Sequence, residues 1–307
     1  MRILEGPAAA RYVRKLERRG QKLDALEPRV SRIVRDVKQN GDRALRRYAE
    51  RWDGLGSGDS LRVPESVMQS ALEACSRDLR AAMEGMAGRI RSFCQRQKPV
   101  PWERTKQGRM LGQLVRPLAS AGCYVPGGRY PLPSTLLMTV IPAQVAGVKK
   151  IRVVSPRPAQ ATLAAAALLG VREFYRVGGA QAIAALAYGT KTIARVDKIV
   201  GPGNLFVTTA KKIVAFDCAI DFLAGPTEGL VLCDDGEPRF IASDLVAQAE
   251  HDPEALVLLV TQSRKLARVV SRSVASLSRG ILIAQQALRK QLASPATRRP
   301  APGTPSR

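Results

Sequence analysis

The sequence predicts an α/β protein in which a parallel sheet carries helices on both faces, with a helical region ahead of it. Three observations predict this. From Leu111 onward, short apolar runs alternate with Ala-rich stretches at the spacing of strand–helix–strand units. Gly-rich loops follow several of the predicted strands, where a chain leaving a strand turns into a helix. Before Leu111 the apolar residues repeat instead with a helical period.

The elements follow in order. Val30, Ile33, Val34 and Val37 recur at i, i+3, i+4 and i+7, and Asn40-Gly41-Asp42 supplies a stop and a new N-cap before Ala44-Leu45 and Tyr48-Ala49. After Pro64, ESVMQSALEACSRDLRAAMEGMAGRIRSFCQRQ reads as a second helical run, closed by Pro99 and Pro101. LGQLVRPLASAGCYVPGG then reads as strand, turn, strand and Gly-rich loop. STLLMTVIPAQVAGV is a helix, KKIRVVSP a buried strand, ATLAAAALLGV a helix and REFYRVGG a strand with a Gly-rich exit. AQAIAALAYGT is a helix, VDKIVGPGN a strand and loop, LFVTTAKKIVAF a helix, and AIDFLAGPTEGLVLCDD gives the last strands of this unit. EPRFIASDLVAQAEHDPEA reads as a helix opened by Asp235 or Glu237 and Pro238, and stopped by Pro253. ALVLLVT is a strand and RKLARVVSRSVASLS a helix, and the Pro/Arg/Ser-rich end has no apolar face and is expected to be disordered.

Composition narrows the function. With 307 residues and 45% hydrophobic content the chain can build a real core, as one large or two ordinary domains. The opening residues carry no apolar h-region and no apolar run approaches a membrane span, so neither a signal peptide nor membrane insertion is expected. The five cysteines are odd in number and never in CxxC spacing, which suits reduced thiols in the cytoplasm. The net charge of +23 raises nucleic acid as a partner, but the basic residues are scattered, aromatics are only 5%, and no nucleic-acid motif accompanies them. A solvated Arg-rich surface is the expected reading. The single histidine, His251, excludes a His-Glu-x-x-His zinc site or a three-His site within one chain.

Three loops draw attention: Tyr124-Val125-Pro126-Gly127-Gly128, Val177-Gly178-Gly179-Ala180-Gln181 and Gly201-Pro202-Gly203-Asn204. Singly, each reads as a plain strand-to-helix turn. Three on one sheet edge suggest a nucleotide or phosphate ligand, although neither GxGxxG nor a Walker A is present. Gln248 and His251, three apart, share a helix face. Taken alone, His251 near a helix C-terminus reads as a partner of the helix dipole rather than a metal ligand. Ala224-Gly225-Pro226-Thr227-Glu228 is a turn whose hydroxyl and carboxylate can face one cleft.

The order GCYVPGG, PLPSTLLM, VGGAQAIAALAYGT, VDKIVGPGN, AGPTE and SDLVAQAEHDP, preceded by NGDRALRRYAERWDG, resembles the histidinol dehydrogenase family over about residues 25 to 288. The resemblance implies an oxidoreductase of histidine biosynthesis, taking L-histidinol through the aldehyde to L-histidine with two NAD+ and one zinc ion, in a homodimer. It implies two Rossmann-like parallel-sheet domains, one incomplete. On that pattern residues 1–110 are the N-terminal helical part of the first domain and 111–230 the Rossmann-like NAD-binding domain. Residues 231–288 return to the first domain, and 289–307 are a disordered tail. The family's NAD contacts fall on Tyr124, Gln181 and Asn204, its substrate-contacting hydroxyl on Thr227, and its first two zinc ligands, which also bear on substrate, on Gln248 and His251. That last assignment displaces the helix-dipole reading of His251. The family's acid/base Glu-His pair and remaining zinc ligands lie in C-terminal domains with no match in this sequence, so no catalytic residue is assigned. The expectation is a chain inactive alone, or, as the alternative, a catalytically silent NAD- or nucleotide-binding remnant.

Overall fold

The computed structural model describes residues 3–16, 22–127, 132–223, 228–250 and 255–281, together with 285, 286 and 288. They form two compact units, the chain dividing between 21 and 22 and between 224 and 225. Among the described residues no helix is long and apolar enough to cross a membrane. The tail expected over 289–307 lies outside the described residues.

The larger unit is built on five parallel strands. These are β3 (Ser120–Tyr124), β4 (Lys150–Val154), β5 (Glu173–Tyr175), β6 (Lys198–Val200) and β7 (Ala219–Ile220), in the spatial order β5-β4-β3-β6-β7. All neighbours pair in parallel, with Cys123 opposite both Val153 and Val200. A parallel sheet is stable when both faces are covered, and every residue of the central β3 is buried.

One face is covered by α2 (Lys22–Tyr48), α7 (Gly179–Tyr188) and α8 (Leu205–Val214). There the predicted stripe Val30, Ile33, Val34 and Val37 packs in one core with Ile183, Leu186, Val207 and Ala210. The other face is covered by α3 (Glu65–Glu73), α4 (Arg77–Gln97), α5 (Pro133–Ala146) and α6 (Gln160–Leu168), whose Met68, Leu72, Met83, Leu137 and Ile141 enclose Phe174. Helices α2, α3 and α4 pack on this sheet because their apolar stripes match its two faces.

Local chemistry explains the element ends. The stop expected at Asn40-Gly41 is a kink: α2 continues past Gly41, which takes φ 51° and ψ −131°. The run after Pro64 is two helices, since the Ser76 hydroxyl accepts from Leu79 N at 3.3 Å and starts α4 afresh. The strand expected near Leu111 is β2 (Arg109–Gln113), and it has an antiparallel partner the sequence reading left out, β1 (Trp102–Lys106). Gln107 and Gly108 join them with φ 51° and 73°, the backbone of a tight hairpin turn.

The smaller unit contains α1 (Gly6–Leu16), β8 (Glu228–Leu232), α9 (Pro238–Ala249), β9 (Leu256–Val260) and α10 (Arg264–Leu277). Sequence reading placed β8 among the last strands of the large sheet. It pairs instead with β9, in parallel, Leu230 opposite Leu258. The physical reason is the strand–helix–strand connection: α9 buries Ile241, Leu245 and Val246 with Val257 of β9 and Leu266 and Val270 of α10 in a core of its own. Of the two candidate caps for α9, Glu237 is the one used, accepting from Arg239 N at 3.3 Å.

Candidate functional site

Because all five strands of the large sheet run parallel, their C-terminal ends share one edge. The chain moves outward from β3 through β4 to β5, then returns to the other side of β3 as β6. This reversal between β3 and β6 is a topological switch point, the place where open α/β sheets leave a crevice for ligands. The three loops picked out in the sequence leave β3, β5 and β6 at this edge.

Tyr124 joins those loops. It ends β3 and is only 3% exposed. Its hydroxyl accepts from Gly179 N, at the start of α7, at 3.2 Å. Its carbonyl oxygen lies 2.1 Å from where a β-carbon on Gly201 would stand. Burial pushes the phenol up to about 12, helped by the Asp53 carboxylate nearby and opposed by the Gly179 N–H. Tyr124 is therefore neutral at physiological pH, and having accepted from Gly179 it keeps its own proton to donate.

Gln181, in the first turn of α7, is 2% exposed, and its Nε2 donates to Asp53 Oδ2 at 3.1 Å. Asn204 is the N-cap of α8, and its Oδ1 accepts from Phe206 N at 3.0 Å and Val207 N at 3.2 Å. The residue is exposed, so its Nδ2 is the end left to face a ligand.

Glycine in these loops serves loop-on-loop packing. A β-carbon on Gly178 would meet Pro156 Cγ at 2.4 Å, as one on Gly201 would meet Tyr124. At these two positions the space a side chain would take is filled by protein.

Sequence reasoning missed three residues that hold this edge. Asp53 ends a π-helical turn (Ala49–Asp53), is 7% exposed, and accepts from both Gly178 N (2.9 Å) and Gln181 Nε2. Burial raises its carboxyl above the ordinary carboxylate value, while Gly178, Gln181 and Arg157 pull it back. The buried Lys211 and the partly buried Asp221 form an ion pair around Gly201. Asp221 Oδ2 accepts from Gly201 N at 2.8 Å, and Lys211 Nζ donates to Gly201 O at 3.0 Å, so both backbone groups of that glycine are held. A signal for Lys211 was present: Val207, Ala210, Lys211 and Val214 are all buried at i, i+3, i+4 and i+7, and a lysine on an apolar stripe requires a partner.

In the smaller unit, Gln248 is exposed and lines a cavity of about 400 Å³ with Glu228 and Asp244. Asp244 is four residues before Gln248 and shares its helix face, a spacing the sequence reading did not use. Gly229 lies beneath Gln248, where a β-carbon would come within 3.3 Å of Cγ. Thr227 and His251 lie outside the described residues. Among the described residues no three His, Cys, Asp or Glu side chains cluster as a metal site.

The model of the histidinol dehydrogenase family matches residues 16–297. The chain belongs to the histidinol dehydrogenase family. It is 50% identical over 249 residues to the histidinol dehydrogenase of Geobacillus kaustophilus, covering 79% of this chain and 58% of that one. It is 48% identical over 259 residues to that of Methanothermobacter thermautotrophicus, covering 82% and 60%. The crystal structure of the histidinol dehydrogenase from Elizabethkingia anophelis superposes with a TM-score of 0.80 at 37% identity, over 86% of this chain and 63% of that one. The chain thus spans about 60% of the length of the relatives it matches.

Proposed function

We propose that this chain carries the dinucleotide-holding part, and the beginning of the zinc and substrate site, of an enzyme that oxidises L-histidinol to L-histidine with two NAD+. It works in the cytoplasm as a homodimer. The observation that carries the reading is Tyr124: at the switch point, its hydroxyl contacts the loop bearing Gln181 and its carbonyl the loop bearing Asn204. A dinucleotide fits this edge, because two neutral amides and a neutral phenol offer donors and acceptors without opposing its phosphates.

When bound, NAD+ accepts the hydride in each oxidation. The chain's own residues hold and orient. Neutral Tyr124, its hydroxyl accepting from Gly179 N, keeps its proton to donate, Gln181 presents the amide end that Asp53 leaves free, and Asn204 offers Nδ2 from the start of α8. Thr227 supplies a hydroxyl to the substrate. Gln248 and His251 are the first two zinc ligands. Zinc in this role orients the substrate's nitrogens. The described residues do not by themselves make a zinc centre: Gln248 is the one expected ligand among them.

The residues assigned here supply binding and orientation. Oxidation needs a base to take the hydroxyl proton as hydride leaves, and a positioned base contributes roughly 10²–10⁴-fold. His251 is the sole histidine and is already assigned to metal. The test is NADH formation from L-histidinol by the purified chain, with and without added zinc. No rate is expected from the chain alone, and activity is expected once the unmatched C-terminal region of a full-length relative is supplied in cis or in trans. A steady histidinol-dependent rate from the chain alone, lost in His251→Ala, contradicts the reading.

A further inference from the structure

The stretch NGDRALRRYAERWDG supplies two residues that fasten α2 and its end to the α7 side of the sheet. Asp42 Oδ2 accepts from Thr192 Oγ1 at 2.8 Å, a plain surface fastening. Asp53 is different, because its partners belong to the candidate dinucleotide edge. The α2 helix runs into the π-helical turn, closed by Gly54 in the left-handed region with its N–H on Ala49 O. Such turns are frequent at functional sites.

One oxygen, Asp53 Oδ2, receives two hydrogen bonds, 2.9 Å from Gly178 N and 3.1 Å from Gln181 Nε2. An ionised carboxylate only accepts, so it selects the orientation of the Gln181 amide: the NH2 end must point at Asp53 and Oε1 must point away. Oε1 lies beside Gly179, 2.7 Å from where a β-carbon on that glycine would stand. Gly179 N is in turn the donor to the Tyr124 hydroxyl. Asp53, Gln181, Gly179 and Tyr124 therefore form one connected cluster, with Asp53 the member behind the amide.

We propose that Asp53 is a positioning residue of the dinucleotide site: it holds Gln181 Nε2 and so fixes Oε1 as the acceptor offered beside Gly179 and Tyr124. This rests on the reading of Gln181 as a dinucleotide contact. The ligand group that suits a fixed acceptor is an N–H or O–H donor, such as the carboxamide or a ribose hydroxyl of the dinucleotide. Asparagine at position 53 keeps the shape but presents either a donor or an acceptor, and the orientation of Gln181 is no longer imposed.

The test is a double-mutant cycle on the chain, read by calorimetric titration with NAD+. Gln181→Ala is expected to weaken NAD+ about tenfold and Asp53→Asn about five- to tenfold, the scale of one ordinary hydrogen bond. The double variant is expected to match Gln181→Ala within about twofold, because Asp53 acts through that side chain. If Gln181→Ala is weakened while Asp53→Asn binds as the wild type, or if the two losses multiply, the proposal is overturned and the reading of the site stands. If Gln181→Ala binds NAD+ as the wild type does, the reading fails and the proposal with it. Should Asp53→Asn not fold, the wild-type chain answers through the side-chain amide protons of Gln181 in its NMR spectrum, assigned by their loss in Gln181→Ala. They are expected to be protected from exchange before NAD+ is added and unchanged after. Protection that appears only with NAD+ overturns the proposal.

Discussion

The carbonyl oxygen of Tyr124 occupies the side of Gly201 where any other residue would carry its β-carbon, 2.1 Å from that position, and Gly201 itself sits at φ 113°. The exits of β3 and β6 therefore meet backbone to backbone at the switch point, and the Asn204 loop is set by Tyr124. Gly201→Ala combines a clash with a left-handed backbone, and is expected to destabilise the chain by roughly 2 kcal/mol or more. Denaturant unfolding at neutral pH checks this; a change under 1 kcal/mol means the loops are not in contact.

Asn204 separates capping from ligand contact. Asn204→Ala removes the cap of α8 and is expected to cost about 1 kcal/mol. Asn204→Asp keeps an oxygen for Phe206 N and Val207 N, and is expected to leave stability within about 0.5 kcal/mol of wild type. It removes the Nδ2 donor, however, and adds a negative charge at the proposed dinucleotide edge, so NAD+ affinity is expected to fall. Thermal melts and NAD+ titration of the two variants check both halves.

Lys211 and Asp221 hold Gly201 from both sides, and Lys211 is only 2% exposed. Asp221→Asn leaves the buried Lys211 charge without its carboxylate and is expected to destabilise by about 3–5 kcal/mol, and Lys211→Met, which leaves a partly exposed carboxylate, by less. In the double variant the losses are expected to fall short of their sum. Urea titration of the four proteins gives the coupling; strict additivity contradicts a direct pair.

How much of this was legible beforehand depended on whether the signal was local. Periodicity and Gly/Pro punctuation located the strands and helices from β3 to α8, and the three loops of the candidate site, because each is set by neighbours a few residues away. The split at Ser76 and the hairpin at Gln107-Gly108 were also local but weak, a single hydroxyl and a less usual turn pair. The partner of β8 and the role of Asp53 were not local at all. Asp53 meets Gly178 across 125 residues of sequence, and no periodicity encodes such a contact. The buried Lys211 was readable as an anomaly, a charge on an apolar stripe, but its partner Asp221 was not.

The buried phenols and thiols make the chain sensitive to alkali. Burial pushes the thiol of Cys123 from 9.0 to about 12 and that of Cys218 to about 11. Burial is also the largest cause raising Tyr124, Tyr175 and Tyr188 from 10.0 to about 12. The folded state thus keeps protons that the unfolded chain releases from pH 9 upward. This stability is whole below the unfolded values and is lost as pH rises toward about 12. Melting temperature is expected to fall steadily above pH 9. At pH 11 the native tyrosinate absorbance is expected to be well below that of the chain in guanidinium; equal absorbances contradict the burial.

Zinc is expected to bind weakly to the chain alone. On the proposed assignment, Gln248 and His251 supply two of the four ligands a closed site takes. Dialysis against a chelator is expected to remove zinc fully, and His251→Ala to abolish what uptake there is. Stoichiometric zinc surviving dialysis contradicts this assignment.

The central claim is that the chain holds a dinucleotide where β3 and β6 diverge. The most direct measurement is the amide NMR spectrum of the ¹⁵N-labelled chain during titration with NAD+. Saturable shifts are expected at Val125, Gly179, Gly201 and the α8 amides of Phe206 and Val207, with the opposite ends of the strands, around Lys150 and Lys198, unmoved. Shifts centred away from the C-terminal edge of the sheet, or none up to millimolar NAD+, contradict the account.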